Sequence, residues 1–399
     1  YYGVTTHPPF EYMTCRSDRT LAAHTVSNSE DALAAEVMLT AAHHGASLII
    51  DAIDPRGTLD ARVYDRIGRV FTRQIPYEPY FTGTRRADVG VYYSTTGRYN
   101  SRGLSYTSKT CSLGAARVLT EAHIPFGVLS NAATGRAADY RMILAPGIAG
   151  ISDGNRRDLA EYVRAGGTLY ISGTEDASLL AELLGVRPDG YTEEGYVYLA
   201  PTAAGEELFG EFNADYPLPT ELSLPKLDFD GGDAGEVLAV MKLPYTKPGE
   251  RRFASIHSNP PGVATDVPAL LVKRCGAGRV IWSAAPIEND GRLAHKGVFA
   301  ALVRRYLGEA SVSSDAPRQV ELVTFDTADG VLVSAVDLLY SDERLPVRGV
   351  TVSVRVAQLP RRVVRFGGEG GEDEDLPFAC DGGYVRFTCP GLTLFAMFR

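Results

Sequence analysis

At 399 residues, 45% of them hydrophobic and 22% charged, the chain has the composition of an ordinary globular protein with room for two or three domains. Its formal net charge of −9, with no basic cluster to offset it, argues against nucleic acid as a partner, and no apolar run approaches membrane-span length. Five scattered cysteines, Cys15, Cys111, Cys275, Cys380 and Cys389, give neither a disulfide framework nor a zinc spacing and suit a reduced cytoplasm.

The opening Tyr1-Tyr2-Gly3-Val4 has no signal-type segment and reads as if entered inside a strand, so the expectation is part of a longer polypeptide. A strand over Tyr2–Thr6 precedes a loop at His7-Pro8-Pro9 and then Phe10-Glu11-Tyr12. A helix is predicted from Ser29 or Glu30 to about His44, closed by Gly45. The apolar strand Ser47–Ile53, the loop Asp54-Pro55-Arg56-Gly57 and a helix around Ala61–Arg73 follow. This β-loop-α-β-loop-α run, residues 1–85, is too short to close a sheet. It suits the last turns of a (β/α)8 barrel, in which functional groups sit at the C-terminal ends of the strands.

From Ala87 the pattern changes. Strands at Asp88–Ser94, Phe126–Ser130, Arg141–Ala145 and Thr168–Ser172 alternate with helices at Cys111–Ala122 and after Asp153, a candidate cap. Gly166-Gly167 stops the second of these helices. Short runs that are apolar throughout, joined by amphipathic helices, call for a parallel sheet covered on both faces. After a short helix at Leu179–Leu184 the pattern loosens. Strand candidates at Tyr196–Ala200, Val237–Lys242 and Phe253–Ser258 read as an insertion near 190–265. Order returns with Ala269–Lys273, Gly278–Ala284 and the helix Lys296–Leu307. Residues 86–310 thus suggest a flavodoxin-like doubly wound domain. Trp282, inside an apolar strand, is expected in the core.

Ser311–Pro317 is polar and linker-like. Beyond it, strands at Val320–Asp326, Val331–Asp337, Val350–Val356, Val363–Phe366, Tyr384–Thr388 and Leu392–Phe398, separated by turns such as Asp329-Gly330, suggest a small antiparallel β-sandwich over 311–399. The acidic glycine run Gly367–Asp375 reads as a surface loop.

Three stretches carry a resemblance: Pro8-Pro9-Phe10-Glu11 with Asp18, then Leu48-Ile49-Ile50-Asp51-Ala52-Ile53-Asp54-Pro55-Arg56-Gly57, then Tyr64-Asp65-Arg66-Ile67-Gly68. Together they resemble the closing part of an α-L-fucosidase-type glycoside hydrolase barrel. Phe10 stands where that family has Trp, and Asp51 where it has Asn. The family's nucleophilic aspartate lies on an earlier strand, so no position here corresponds to it. Residues 86–310 resemble the class I glutamine-amidotransferase-like domain that follows the barrel in β-galactosidases. The turn that would carry a nucleophilic Cys is Ser172-Gly173-Thr174-Glu175, so amidotransferase chemistry lacks its thiolate. The domain order as a whole resembles the α-L-fucosidase/β-galactosidase-like group. It implies a carbohydrate substrate, no cofactor, and an oligomer contact through the amidotransferase-like domain.

Glu11 is the sharpest candidate. In a loop after a barrel strand it could donate a proton to a leaving glycosidic oxygen, with a partner carboxylate ~5–5.5 Å away in a retaining enzyme; the bland alternative is a surface Glu. His7 and Arg16 could reach a substrate hydroxyl or be structural. Asp51 and Asp54 end a buried strand at the expected pocket; Asp51, inside an apolar run, needs a buried partner, and Asp54-Pro55-Arg56-Gly57 is also an ordinary β-turn. His43-His44 ends a helix, where partial positive charge suits the dipole, and carboxylates at metal-ligand spacing are missing. Gly90–Gly103 lacks the glycine spacing of a phosphate loop; its Tyr92, Tyr93, Arg98 and Tyr99, with Tyr106, suit either a barrel-mouth cover, a subunit contact or a plain surface loop. Two other readings stand beside the glycosidase: a non-catalytic scaffold for oligomerisation or sugar binding, and a flavodoxin-like metabolite binder.

Overall fold

The computed structural model describes residues 1–6, 9–17, 25–96, 105–339, 344–368 and 371–399. The fold is mixed α/β and contains several separate sheets. It divides into two compact units. The first comprises Tyr1–Ala87, Thr120–Gly127 and Ala310–Arg399; the second comprises Asp88–Leu119 and Val128–Glu309.

In the first unit, strands Glu11–Cys15 and Ala46–Ile50 pair in parallel, Glu11 opposite Ala46 and Cys15 opposite Ile50. Gly45 precedes the second strand because a Cβ there would sit 2.4 Å from the Phe10 ring. The connecting helix Glu30–Ala42 is capped by Ser29, whose Oγ accepts the Ala32 N–H at 3.2 Å. Glu30 and Asp31 occupy its positive end. Its buried residues, among them Leu33, Ala34, Val37, Met38 and Ala42, lie on more than one side, so the helix packs against several neighbours. Leu33, Ala34 and Val37 meet Val70 of the helix Ala61–Thr72. On another side, Met38 and Ala42 pack on Val323, Phe325, Leu332 and Val336.

Those last four residues belong to a pair of C-terminal antiparallel sheets. One runs Val312–Ser314, Val350–Arg355, Tyr384–Cys389, Phe378–Asp381. The other runs Glu374–Leu376, Val363–Arg365, Phe395–Phe398, Gly330–Asp337, Val320–Thr327 and Thr84–Arg85. Their shared core includes Val320, Val352, Val385, Phe387 and Phe398.

Three local expectations are corrected here. Tyr2–Thr6 is a helical turn, not a strand; the adjacent Tyr1 ring stacks on Phe126 at 3.9 Å, and such tertiary contact overrides the β-propensity of a Tyr-Tyr-Val run. Glu11 opens a strand instead of lying in a loop after one. Val312–Ser314, within the linker-like Ser311–Pro317, is an edge strand paired with Val350–Arg355.

The second unit is built on a nine-stranded sheet in the order Leu218–Thr220, Val197–Pro201, Glu236–Pro244, Pro261–Cys275, Gly278–Ser283, Thr168–Ser172, Met142–Ala145, Val89–Tyr93, Phe126–Ser130. Gly278–Ser283, Thr168–Ser172, Met142–Ala145 and Val89–Tyr93 are mutually parallel. Every residue of Met142–Ala145 and Thr168–Ser172 is buried, as a sheet covered on both faces requires. The loosely patterned middle continues this same sheet with antiparallel strands. Phe253–Ser258 forms no strand and is largely exposed. Ser152, not Asp153, caps the helix Asp153–Arg164, accepting the Asn155 N–H at 3.2 Å. Trp282 is fully buried.

Candidate functional site

Parallel pairing brings the C-terminal ends of Glu11–Cys15 and Ala46–Ile50 side by side, so the next residue of each strand, Arg16 and Asp51, must meet. The Arg16 N–H donates to the Ile50 carbonyl at 2.8 Å. Its Nε donates to Asp51 Oδ1 at 2.6 Å and its Nη1 to the Val26 carbonyl at 3.0 Å. Asp51 Oδ1 also accepts the Ala52 N–H at 2.8 Å. The two side chains are 4% and 7% exposed. Such a pair offsets its desolvation only through close geometry and added hydrogen bonds, and both are present.

A cleft of about 730 Å³ opens at this corner. Beside Arg16 and Asp51 it is lined by Asp54, Asp60, Arg62 and Arg66. Asp54 starts a tight turn: its carbonyl accepts the Gly57 N–H at 2.7 Å and its Oδ1 the Arg56 N–H at 2.8 Å. Gly57 takes φ +76° there, a conformation glycine adopts without steric cost. Asp60 caps the helix Ala61–Thr72 by accepting the Arg62 N–H at 2.9 Å. The Arg62 guanidinium hydrogen-bonds the same carboxylate at 2.6 Å and holds Asp60 down at about 2. Arg66, one turn further on, donates to the Asn28 carbonyl at 3.0 Å. Three carboxylates and three guanidiniums line the wall, so it offers many donors and acceptors with balanced charge. That chemistry suits a neutral polyhydroxylated ligand better than an ion.

The structure therefore brings Arg16, Asp51 and Asp54 onto one cleft. It does not bring Glu11 there. Glu11 is exposed at the N-terminal start of its strand, and four strand rises put it roughly 13 Å from the Cys15 end. In barrel geometry the N-terminal strand end is the end that serves stability. His7 and Asp18 lie outside the described residues, as do Arg98 and Tyr99. Tyr92 is buried on its strand, and Tyr106 donates to the Gly173 carbonyl at 3.0 Å. Sequence reasoning missed Asp60, Arg62 and Arg66 as wall residues. The signal was available: Asp60 sits at a cap, with Arg62 and Arg66 four residues apart on the first turns.

His43 belongs to a separate buried network. Arg85 Nη1 lies 3.3 Å from His43 Nδ1, and His43 Nε2 lies 2.9 Å from Glu321 Oε1. Guanidinium can only donate, so Nδ1 accepts and the neutral imidazole donates from Nε2 to the Glu321 carboxylate. Burial pushes His43 down from 6.5 to about 4. Burial alone would raise Glu321, but the His43 hydrogen bond holds it below the ordinary value. Both folded values are depressed, so their stabilisation is present above pH 6.5 and lost as pH falls through about 4. The His43 share alone amounts to about 3 kcal/mol. His43→Gln, which can still accept from Arg85 and donate to Glu321, is expected to flatten that acid limb. Amide exchange of Glu30–Ala42 between pH 7 and pH 4 reads it.

In the second unit, Glu288 is 1% exposed and lies among the C-terminal ends of the parallel strands. Tyr170 Oη is 2.7 Å from its Oε2 and Ser172 Oγ is 2.5 Å from its Oε1. The Gly147 N–H donates to Ser172 Oγ at 3.0 Å. Burial, opposed by these hydroxyl contacts, pushes Glu288 up from 4.5 to about 7. Cys111, on the neighbouring helix, is buried, and its thiol is pushed up first by burial and then by Glu288.

No protein-family model and no curated protein matches the chain. Solved structures do. α-L-Fucosidase isoenzyme 2 from Paenibacillus thiaminolyticus superposes with a TM-score of 0.83 at 20% identity, over 100% of this chain and 61% of that one. A β-galactosidase from Bacillus circulans sp. alkalophilus gives 0.64 at 12% identity, over 95% and 55%. One from Rahnella sp. R3 gives 0.61 at 14%, over 92% and 52%. The chain thus spans about half to three-fifths of the proteins it resembles. In fold, this chain resembles part of solved α-L-fucosidase and β-galactosidase structures.

Proposed function

We propose that this chain is part of a glycoside hydrolase and supplies one wall of its sugar pocket. The observation that carries the reading is the Arg16–Asp51 corner: a buried ion pair immediately after two parallel strands, opening onto a charge-balanced cleft that also holds Asp54. Glu11–Cys15 and Ala46–Ile50 are read as closing strands of a (β/α)8 barrel. Tyr12, Met13 and Leu48 on these strands are 52%, 53% and 39% exposed; further barrel strands and helices would cover such apolar residues. Residues of the second unit form the amidotransferase-like doubly wound domain, and the C-terminal sheets the β-sandwich. A cytoplasmic location and an oligomer contact through the amidotransferase-like domain accompany this reading.

Arg16 and Asp51 set the loops, and Asp54 offers a carboxylate to sugar hydroxyls. Hydrolysis uses two carboxylates and an oxocarbenium-like transition state; by the family resemblance, the nucleophile lies on a barrel strand outside this chain, which alone is inactive. In the polypeptide that unites this chain with the rest of the barrel, Asp54→Asn is expected to lower kcat/KM for 4-nitrophenyl α-L-fucoside or β-D-galactoside about tenfold, roughly 1.4 kcal/mol of transition-state binding. An unchanged kcat/KM removes Asp54 from the sugar site. Failure to cleave any nitrophenyl glycoside favours the scaffold reading, which the lack of a thiol at Ser172-Gly173 already suits for the second unit.

A further inference from the structure

Glu288 takes no part in the strand-end cleft, yet it is an acid enclosed by neutral groups. It lies in the single turn Ile287–Asn289, soon after the parallel strand Gly278–Ser283. Its two oxygens meet hydroxyls, Tyr170 Oη at 2.7 Å and Ser172 Oγ at 2.5 Å, both from strand Thr168–Ser172. Helix Ser108–Glu121 adds the Cys111 thiol. Helix Leu293–Leu307 carries His295, but that ring turns to the Pro219 carbonyl at 2.7 Å and to Asp290 at 3.5 Å. Arg292 is likewise taken by Asp290 and Glu221. No cation offsets a charge on Glu288, so ionising it in place costs more than ionising it in water.

The turn that holds it is a thin cover. Asn289 N–H donates to the Pro286 carbonyl at 3.0 Å and Asp290 N–H to the Ile287 carbonyl at 3.3 Å. It ends at exposed Gly291, where an added Cβ would meet open space. Helix Ser108–Glu121 presses on it from inside: a Cβ at Gly114 would stand 2.3 Å from the Glu288 carbonyl oxygen. Cys111, one turn earlier on that helix, is fully buried. The turn can therefore swing away without breaking a strand or a long helix, and the helix face it uncovers carries a thiol.

We propose that Ile287–Asn289 is a pH-operated latch: with Glu288 protonated it seals the helix face carrying Cys111, and with Glu288 ionised it swings outward and exposes that thiol. The closed state keeps a proton up to about pH 7, whereas a solvated carboxyl releases it near 4.5. Opening is thus rarest below pH 4.5 and grows until pH has passed about 7. From pH 5 to pH 8 the opening equilibrium is expected to rise on the order of fiftyfold. The inference is independent of the glycosidase reading, which survives its failure.

The test is pulse labelling of Cys111 in the full chain with dilute 4,4′-dithiodipyridine between pH 5 and pH 8, read by peptide mass spectrometry. Each rate is divided by that of the urea-unfolded chain at the same pH, which removes the thiol's own ionisation. The wild-type ratio is expected to climb on the order of fiftyfold. Glu288→Gln, whose amide still meets Tyr170 and Ser172, should stay at the low acid value throughout. Amide exchange of Ile287–Asn289 should quicken with the labelling while Thr168–Ser172 keeps its protection, which separates a local latch from unfolding of the whole unit. A wild-type ratio that does not change with pH, an equal climb in Glu288→Gln, or loss of protection in Thr168–Ser172 in step with the labelling would each overturn the proposal.

Discussion

Asp51→Ala is expected to destabilise the first unit by about 3–5 kcal/mol, because it leaves the Arg16 guanidinium buried without its counter-charge. Arg16 is 4% exposed and its Nε points at Asp51 Oδ1 from 2.6 Å. The loss should concentrate at the strand ends, where Arg16 also holds the Val26 carbonyl and Asp51 the Ala52 amide. The sole Trp lies in the second unit and reports nothing here, so the measurement is amide exchange over Glu11–Cys15 and Ala46–Ile50. The double substitution Arg16→Met with Asp51→Leu removes both charges and should cost far less than the single one. If Asp51→Ala instead costs under ~1 kcal/mol, typical of an exposed pair, the corner does not hold the cleft open and the site built on it fails.

Glu288→Gln is expected to raise the stability of the second unit by up to about 3 kcal/mol above neutral pH. Burial raises the Glu288 carboxyl from 4.5 to about 7. The folded chain thus keeps a proton that the unfolded chain releases. The contribution is complete below pH 4.5 and disappears as pH rises through about 7. Gln is neutral throughout and should remove that slope, while its amide still meets Tyr170 and Ser172. Glu288→Ala should instead destabilise at every pH, since two buried hydroxyls lose their partner. Trp282 sits on the adjacent strand, so its fluorescence during denaturant unfolding at pH 5 and pH 8 follows this unit alone. A slope in the Gln variant equal to the wild type would show that another group carries the pH dependence.

Much of the architecture was legible because its signals are local. Thr168–Ser172 and Phe126–Ser130 occur where their apolar runs end at turn residues. Helix Glu30–Ala42 begins at a serine cap. Errors fell where local and tertiary preferences conflict. Val312–Ser314 reads as a polar linker yet completes a sheet edge, since its backbone groups find partners on Val350–Arg355. Phe253–Ser258 has the composition of a strand but pairs with nothing among the described residues.

The functional site divides along the same line. The sequence by itself determined that Asp51 and Asp54 lie at the end of an apolar strand, because that run gives way to the Asp54-Pro55-Arg56-Gly57 turn. It predicted no strand at Glu11–Cys15, so the position of Arg16 at a strand end came from the structure. It also determined that the second unit has no thiol at Ser172-Gly173. Only the tertiary structure decided that Arg16 and Asp51 touch, that Asp60, Arg62 and Arg66 face the same cleft, and that Glu11 lies at the far end of its strand. The physical reason is register: parallel pairing fixes which residues of two distant segments are neighbours. Hydrogen bonds across 35 positions of sequence carry that information, and neither segment contains it alone.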